Sequence, residues 1–276
     1  MNPVTATSAP RATARPWARH AIPLAMALAC GLFVGLGDAS TAAKVIAVAI
    51  FFAAATLWTN ARELRLHAMI NRHIALGHPE AILAIIEPEL AYSRAARLRV
   101  PFTIYKAVAR SLQGQWSDAL AILDSIDISR MRGKARRTWQ FLHDSHRFNC
   151  LLFNDRAAEA RQLLEDRIEP FAEVVRSSGT RLIRDESRAK LAYFEGDRER
   201  ARTAFEKLAH RGEIAPSSRA FYYYFLGRLA IEQGQPPGEH FDKARKLASE
   251  TFLPAAIDEI LADREPSQGP DSDAPG

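Results

Sequence analysis

The sequence predicts an all-α protein: a two-helix transmembrane hairpin followed by a stack of about five helix–turn–helix repeats. Three observations predict it. Two apolar runs stand near the start of the 276-residue chain. Beyond them, a Gly or Asp recurs at Gly77, Gly114, Asp155, Gly196 and Gly234, at intervals near 40 residues. After each of these comes a polar connector, then Ala or an apolar residue at helical spacing.

Residues 1–19 are rich in Ala, Pro, Thr and Arg and lack apolar periodicity, which predicts a disordered segment. HAIPLAMALACGLFVGLG (20–37) and AAKVIAVAIFFAAATLW (42–58) follow, joined by DAST. A spanning helix needs about 17–25 apolar residues, and each run reaches that. Neither run has a polar face that would orient it on a soluble core. Residues 20–58 are therefore expected to form the hairpin, with Trp17 and Trp58 at the interfaces. Arg11, Arg15 and Arg19 precede the first run and Arg62, Arg65 and Arg72 follow the second, so both ends are expected on the cytoplasmic side. The expected location is an inner membrane of bacterial type, crossed more than once, with the C-terminal domain in the cytoplasm. Gly37-Asp38-Ala39 after an Arg-bearing apolar start also resembles a signal-peptide cleavage site; the second run would then stop transfer. Gly31 and Gly35, extended backwards by Ala27, make a small-residue stripe suited to close helix packing, within the hairpin or between copies.

From residue 60 to 263 the chain reads as one domain of repeats. In QGQWSDALAILDSI (113–126), Gly114 lets the chain reverse, Ala119 marks a close helix crossing, and Trp116 and Leu123 fill the space beside it. The same pattern recurs in LGHPEAILAI, FNDRAAEARQLLE, EGDRERARTAFEKL and, degenerately, EQGQPPGEHFDKA. One such unit cannot bury its apolar face alone and must stack on a neighbour. EPFAEVVRSSGT (169–180) reads as an insertion, FLPAAIDEILAD (252–263) as a closing helix and 264–276 as a disordered tail.

This pattern resembles the tetratricopeptide repeat family over roughly residues 60–250, on Gly114, Trp116, Ala119 and Leu123, and on Gly196, Ala201 and Phe205. The spacing exceeds the family's 34 residues, Asp155 replaces a glycine, and Pro236 and Pro237 interrupt the fifth connector. The resemblance implies an α-solenoid whose first helices line a concave groove for a protein or peptide partner. Carried over by position, the groove residues are His67, Asn71, Tyr105, Val108, Ser111, His146, Asn149, Glu186, Lys190, Tyr193, Tyr224 and Arg228. Asn149, Lys190 and Arg228 share one repeat position and would form a row able to hold a peptide backbone or a carboxylate. The implied role is a membrane-anchored scaffold or adaptor; an accessory factor of a membrane biosynthetic or export complex, acting through the hairpin, is the alternative.

No phosphate loop, HExxH or GxSxG occurs, so no enzyme and no cofactor are expected. His143, His146 and Cys150 share a helix face with metal-ligand chemistry, but three ligands from one helix is an unusual donor set and they are read as surface or packing residues. Cys30 and Cys150 are the sole cysteines and no disulfide is expected. Arg130, Arg132, Lys134, Arg136 and Arg137 fall within RMRGKARR, read as a loop able to contact phosphates or anionic lipid. Residues 61–137 carry 13 basic and 7 acidic side chains, and 138–276 carry 20 and 24, so positive charge gathers in the half next to the hairpin. No aromatic-interleaved surface accompanies the run, and nucleic acid is not an expected partner.

Overall fold

The computed structural model describes residues 40–92 and 96–263, together with the helical positions Ala27, Gly31 and Gly35. The rest of the first apolar run, the N-terminal 19 residues and the tail after 263 lie outside the described residues, and so does the two-span hairpin as a pair. All regular elements described are helices. The chain divides into two compact units, Met1–His67 and Ala68–Gly276.

In the first unit the second apolar run belongs to α1, Thr41–Leu76, one helix of 36 residues. The helix runs on past Trp58, the last residue of the expected hairpin, through Thr59 and Asn60. At 1.5 Å per residue such a helix is about 54 Å long, against roughly 30 Å of bilayer hydrocarbon. It is long and apolar enough to cross a membrane, with mean hydropathy 1.8 over its apolar window and none of that window buried. Val45, Ile46, Ile50, Phe52 and Leu57 all project outward. The hydroxyls of Thr56 and Thr59 donate to the carbonyls of Phe52 and Ala55 at 2.7 and 2.8 Å, so these groups are satisfied within the helix.

The second unit is built of helix pairs in chain order: α2 (Pro79–Tyr92), α3 (Ala96–Leu112), α4 (Trp116–Asp124), α5 (Gly133–Phe153), α6 (Ala157–Leu163), α7 (Glu169–Val175), α8 (Ser178–Phe194), α9 (Arg198–Ala209), α10 (Pro216–Glu232), α11 (His240–Leu247) and α12 (Leu253–Ala262). Each packs on near neighbours in the chain, as in α3 on α4 and α5, and α5 on α8 across the α6–α7 segment.

All five turn residues have positive φ: Gly77 71°, Gly114 80°, Asp155 58°, Gly196 85° and Gly234 72°. The next residue donates its N–H to the carbonyl five positions back in every case, His78 to His73, Gln115 to Arg110, Arg156 to Leu151, Asp197 to Ala192 and Gln235 to Ala230, each at 2.9 Å. This is the hydrogen bond that closes a helix on a left-handed residue, and its fivefold recurrence is the structural content of the sequence spacing. Ala119, Ala160 and Ala201, each five positions beyond a turn, have no exposed surface. A larger side chain there would hold the paired helices apart.

The insertion at 169–180 is mostly helical. A π turn, Leu164–Ile168, joins α6 to α7 just ahead of Pro170, which has no N–H to offer Asp166. Arg176 then closes α7 in a left-handed conformation, and the Ser177 hydroxyl accepts from the Thr180 N–H to start α8.

The C-terminal end returns to the beginning of this unit. The Phe252 N–H donates to the Leu112 carbonyl at 2.9 Å. A Cβ at Gly114 would lie 2.9 Å from the Cβ of Phe252, and one at Gly77 2.9 Å from Cγ2 of Thr251. The Ser217 hydroxyl donates to the Ile74 carbonyl at 2.8 Å. These contacts draw the fourth and fifth pairs and α12 onto the first two turns, so the inner face borders a cavity instead of an open channel.

Candidate functional site

Six of the predicted groove residues line this inner cavity of about 210 Å3: Val108 and Ser111 from α3, His146 and Asn149 from α5, Glu186 and Lys190 from α8. Val108, Asn149 and Lys190 each stand six residues before the turn that ends their helix, so successive first helices present them on the same side. Trp116, Phe153 and Phe221 form the apolar wall, and Ser145, Ser187, Ser217 and Ser218 complete the polar lining.

Lys190 is the electrostatic centre. Its side chain is 6% exposed, and burying an ammonium is costly unless it is paired. Nζ donates to Glu186 Oε1 at 2.5 Å and to Asn149 Oδ1 at 3.0 Å. It also lies 5.6 Å from the ring centre of Phe221. The second oxygen of Glu186 accepts from the Tyr222 hydroxyl at 3.1 Å. The pair is thus balanced within the protein, and the Asn149 side-chain nitrogen is left with no hydrogen-bond partner among the described residues.

His146 is held neutral. Burial, and then the Lys190 charge, push its pKa down to about 4. No described group hydrogen-bonds either of its ring nitrogens. A neutral imidazole offers one donor and one acceptor, and the residue lines the cavity.

The other predicted groove residues go elsewhere. Tyr193 and Tyr224 are 4% exposed and line no part of the cavity. The Tyr193 hydroxyl donates to Glu232 at 2.7 Å. Arg228 does not continue the row of Asn149 and Lys190: its guanidinium lies 5.5 and 5.9 Å from the Tyr193 and Tyr224 ring centres. Phe221, two helical turns earlier in α10, lines the cavity, and Arg228 stands beyond its lining. Tyr105 is buried against Trp139, edge to face at 5.6 Å, and burial raises its pKa to about 12 against the opposing effect of a hydrogen bond with Asn71. His67 belongs to the first unit.

His143, His146 and Cys150 do not converge on one point. The His143 ring spans Asp144 Oδ1 and the Leu123 carbonyl, both at 3.0 Å, and Nε2–H donates to the latter. Cys150 is free and buried, its thiol pushed up to about 12 by burial and then by Asp124. No group of three or more His, Cys, Asp or Glu among the described residues is placed to hold a metal ion.

The basic run is exposed, though helical where a loop was expected. Arg130 ends a 3-10 turn and pairs with Asp127 at 3.0 Å. Arg132 precedes α5, and Lys134, Arg136 and Arg137 occupy its first turns with no acidic residue among them. Arg136 and Arg137 share a cleft of about 480 Å3 with Arg167, Phe141 and Phe171.

Trp116, Phe153, Phe221 and the four serines are among the cavity residues that sequence reasoning did not place there. Trp116 stacks on Phe153 at 4.0 Å and also meets Phe221 and Phe252 edge to face. Those neighbours are far apart in sequence, so no local spacing marks them.

Comparison with protein-family models, curated proteins and solved structures finds no match for this chain.

Proposed function

We propose that this protein is a membrane-anchored, non-enzymatic scaffold with a tetratricopeptide-like solenoid that seats a protein partner at its inner cavity. The observation that carries the reading is the convergence of Ser111, His146, Asn149 and Lys190, from three successive first helices, on one cavity where the His146 ring and the Asn149 amide nitrogen have no hydrogen-bond partner among the described residues. Repeat stacks build long binding surfaces this way, one or two side chains per repeat. The exposed apolar stretch of α1 supports the anchor, here read as the second span of a hairpin with the repeats on the cytoplasmic side. Arg130, Arg132, Lys134, Arg136 and Arg137 are read as a contact for anionic headgroups, on their exposure and sign.

The test is capture from native membranes by the full chain in detergent, beside the Asn149→Ala/Lys190→Ala double variant and an Arg228→Ala variant. One protein held by the wild type and by Arg228→Ala, and lost by the double variant with its unfolding temperature checked, supports a partner seat at the cavity. Equal capture by all three chains removes the cavity from the interaction.

A further inference from the structure

The cavity lining specifies what can enter it. Lys190 spends two of its three N–H groups on Asn149 and Glu186, and Glu186 spends its second oxygen on Tyr222. The ion pair is closed, so neither charge is left over for a ligand. A carboxylate entering here would stand near Glu186 with no spare cation to balance it, and an ammonium would stand near Lys190; either would be desolvated without compensation. Neutral groups are what remain available: the amide nitrogen of Asn149, the ring of His146, the hydroxyl of Ser218, and the lone pairs of Ser145 and Ser187, whose hydroxyls donate to the Phe141 and Ile183 carbonyls at 2.7 and 2.8 Å. This set holds donors and acceptors together. The walls are the flat rings of Trp116, Phe153 and Phe221.

Size narrows the ligand further. About 210 Å3 admits one side chain, whereas a helix is about 10 Å across and does not fit. A planar group with one acceptor and two donors, thin enough to lie against an aromatic face, satisfies both the shape and the polar count.

We propose that the cavity takes a single neutral, planar amide group of a partner polypeptide: the side chain of an Asn or Gln, or a carboxamide end. The amide oxygen accepts from the Asn149 side-chain nitrogen, and the amide N–H groups donate to the unprotonated nitrogen of His146 and to a serine oxygen. His146 is suited to this because it stays uncharged above about pH 4. The inference rests on the inner cavity being the partner's seat and adds the chemistry that the seat selects.

The experiment uses the full chain in detergent micelles with two probes of equal shape, 4-fluorobenzamide and 4-fluorobenzoate, followed by fluorine NMR at pH 7 against micelles alone. The expected result is millimolar binding of the amide and at least tenfold weaker binding of the carboxylate. His146→Phe keeps the ring volume and removes its nitrogens, and is expected to weaken amide binding about fivefold, the value of one hydrogen bond. If that variant unfolds, Ser218→Ala is read in its place with the same expectation. Benzoate bound as tightly as benzamide, neither probe bound, or amide binding unchanged in the folded variant overturns the proposal. A partner captured through the cavity without amide preference overturns this inference and leaves the scaffold reading standing. Amide preference with no partner captured does the reverse.

Discussion

Removing the ammonium of Lys190 should expose how much of this fold depends on a closed buried pair. Lys190→Met keeps the aliphatic stem and deletes Nζ, leaving Glu186 at 19% side-chain exposure with the Tyr222 hydroxyl as its one remaining partner. Breaking a buried pair on one side costs about 3–5 kcal/mol, because the surviving charge stays buried without its counterpart. Partial exposure of Glu186 places the expectation at the lower end, about 3 kcal/mol. In a domain of this size each kcal/mol moves Tm by about 2–4 °C, so the drop should be about 6–12 °C. Glu186→Gln keeps an acceptor for Lys190 and a partner for Tyr222, and should cost about 2 kcal/mol through the unbalanced ammonium. The double variant carries no buried charge and should recover to within about 1 kcal/mol of wild type, a coupling of several kcal/mol. Urea unfolding of all four chains in detergent, followed by tryptophan fluorescence, measures the cycle. Additive single effects, with coupling below about 0.5 kcal/mol, would show the pair to be worth no more than an exposed surface bridge and would refute the reasoning.

The pH dependence of stability should carry the signature of His146. Its folded pKa of about 4 lies below the unfolded value of 6.5, so the unfolded chain binds the extra proton first. The contribution is complete above pH 6.5 and is lost as pH falls toward 4, about 2 kcal/mol by pH 5; unfolding at pH 7 and pH 5 should show it in wild type and not in His146→Phe. Two turn glycines should respond differently to alanine. Gly196→Ala meets no atom within 4 Å and should cost only the left-handed strain, about 1 kcal/mol, whereas Gly114→Ala also drives a Cβ against Phe252 and should cost about 2–4 kcal/mol by thermal unfolding. Gly227→Ala puts a methyl group into the Phe241 ring, and the overpacking should outweigh the gain in helix propensity by about 1–2 kcal/mol. Phe52→Arg, in the exposed apolar stretch of α1, should reduce insertion by about 2.5–3.5 kcal/mol, read as loss of the chain from alkali-washed membranes.

Local rules sufficed for the turns. Gly77, Gly114, Gly196 and Gly234 end helices because a positive φ is nearly free for glycine, and Asp155 can stand among them because a short polar side chain tolerates the same region. The buried alanines five residues on follow from the same spacing, and so do Val108, Asn149 and Lys190, each six residues before its turn. Helical character and the apolar length of α1 were equally plain, since both are properties of contiguous residues.

What only the tertiary structure decided depends on distant segments. Tyr224 and Phe221 sit in one aromatic run, FYYYF, and a residue-type rule has no means of choosing which faces inward; packing of α10 on α8 and of Phe252 on Trp116 makes that choice. Arg228 left the row of Asn149 and Lys190 for the same reason, drawn onto two tyrosine rings that the fold places beside it. The cavity itself exists because residues 217 and 251–252 return to residues 74–77 and 112–114. A period in the sequence specifies how one helix pair follows the next, but the small rotation at each step, which determines whether the stack stays open or meets its own beginning, is set by side-chain volumes summed over every interface.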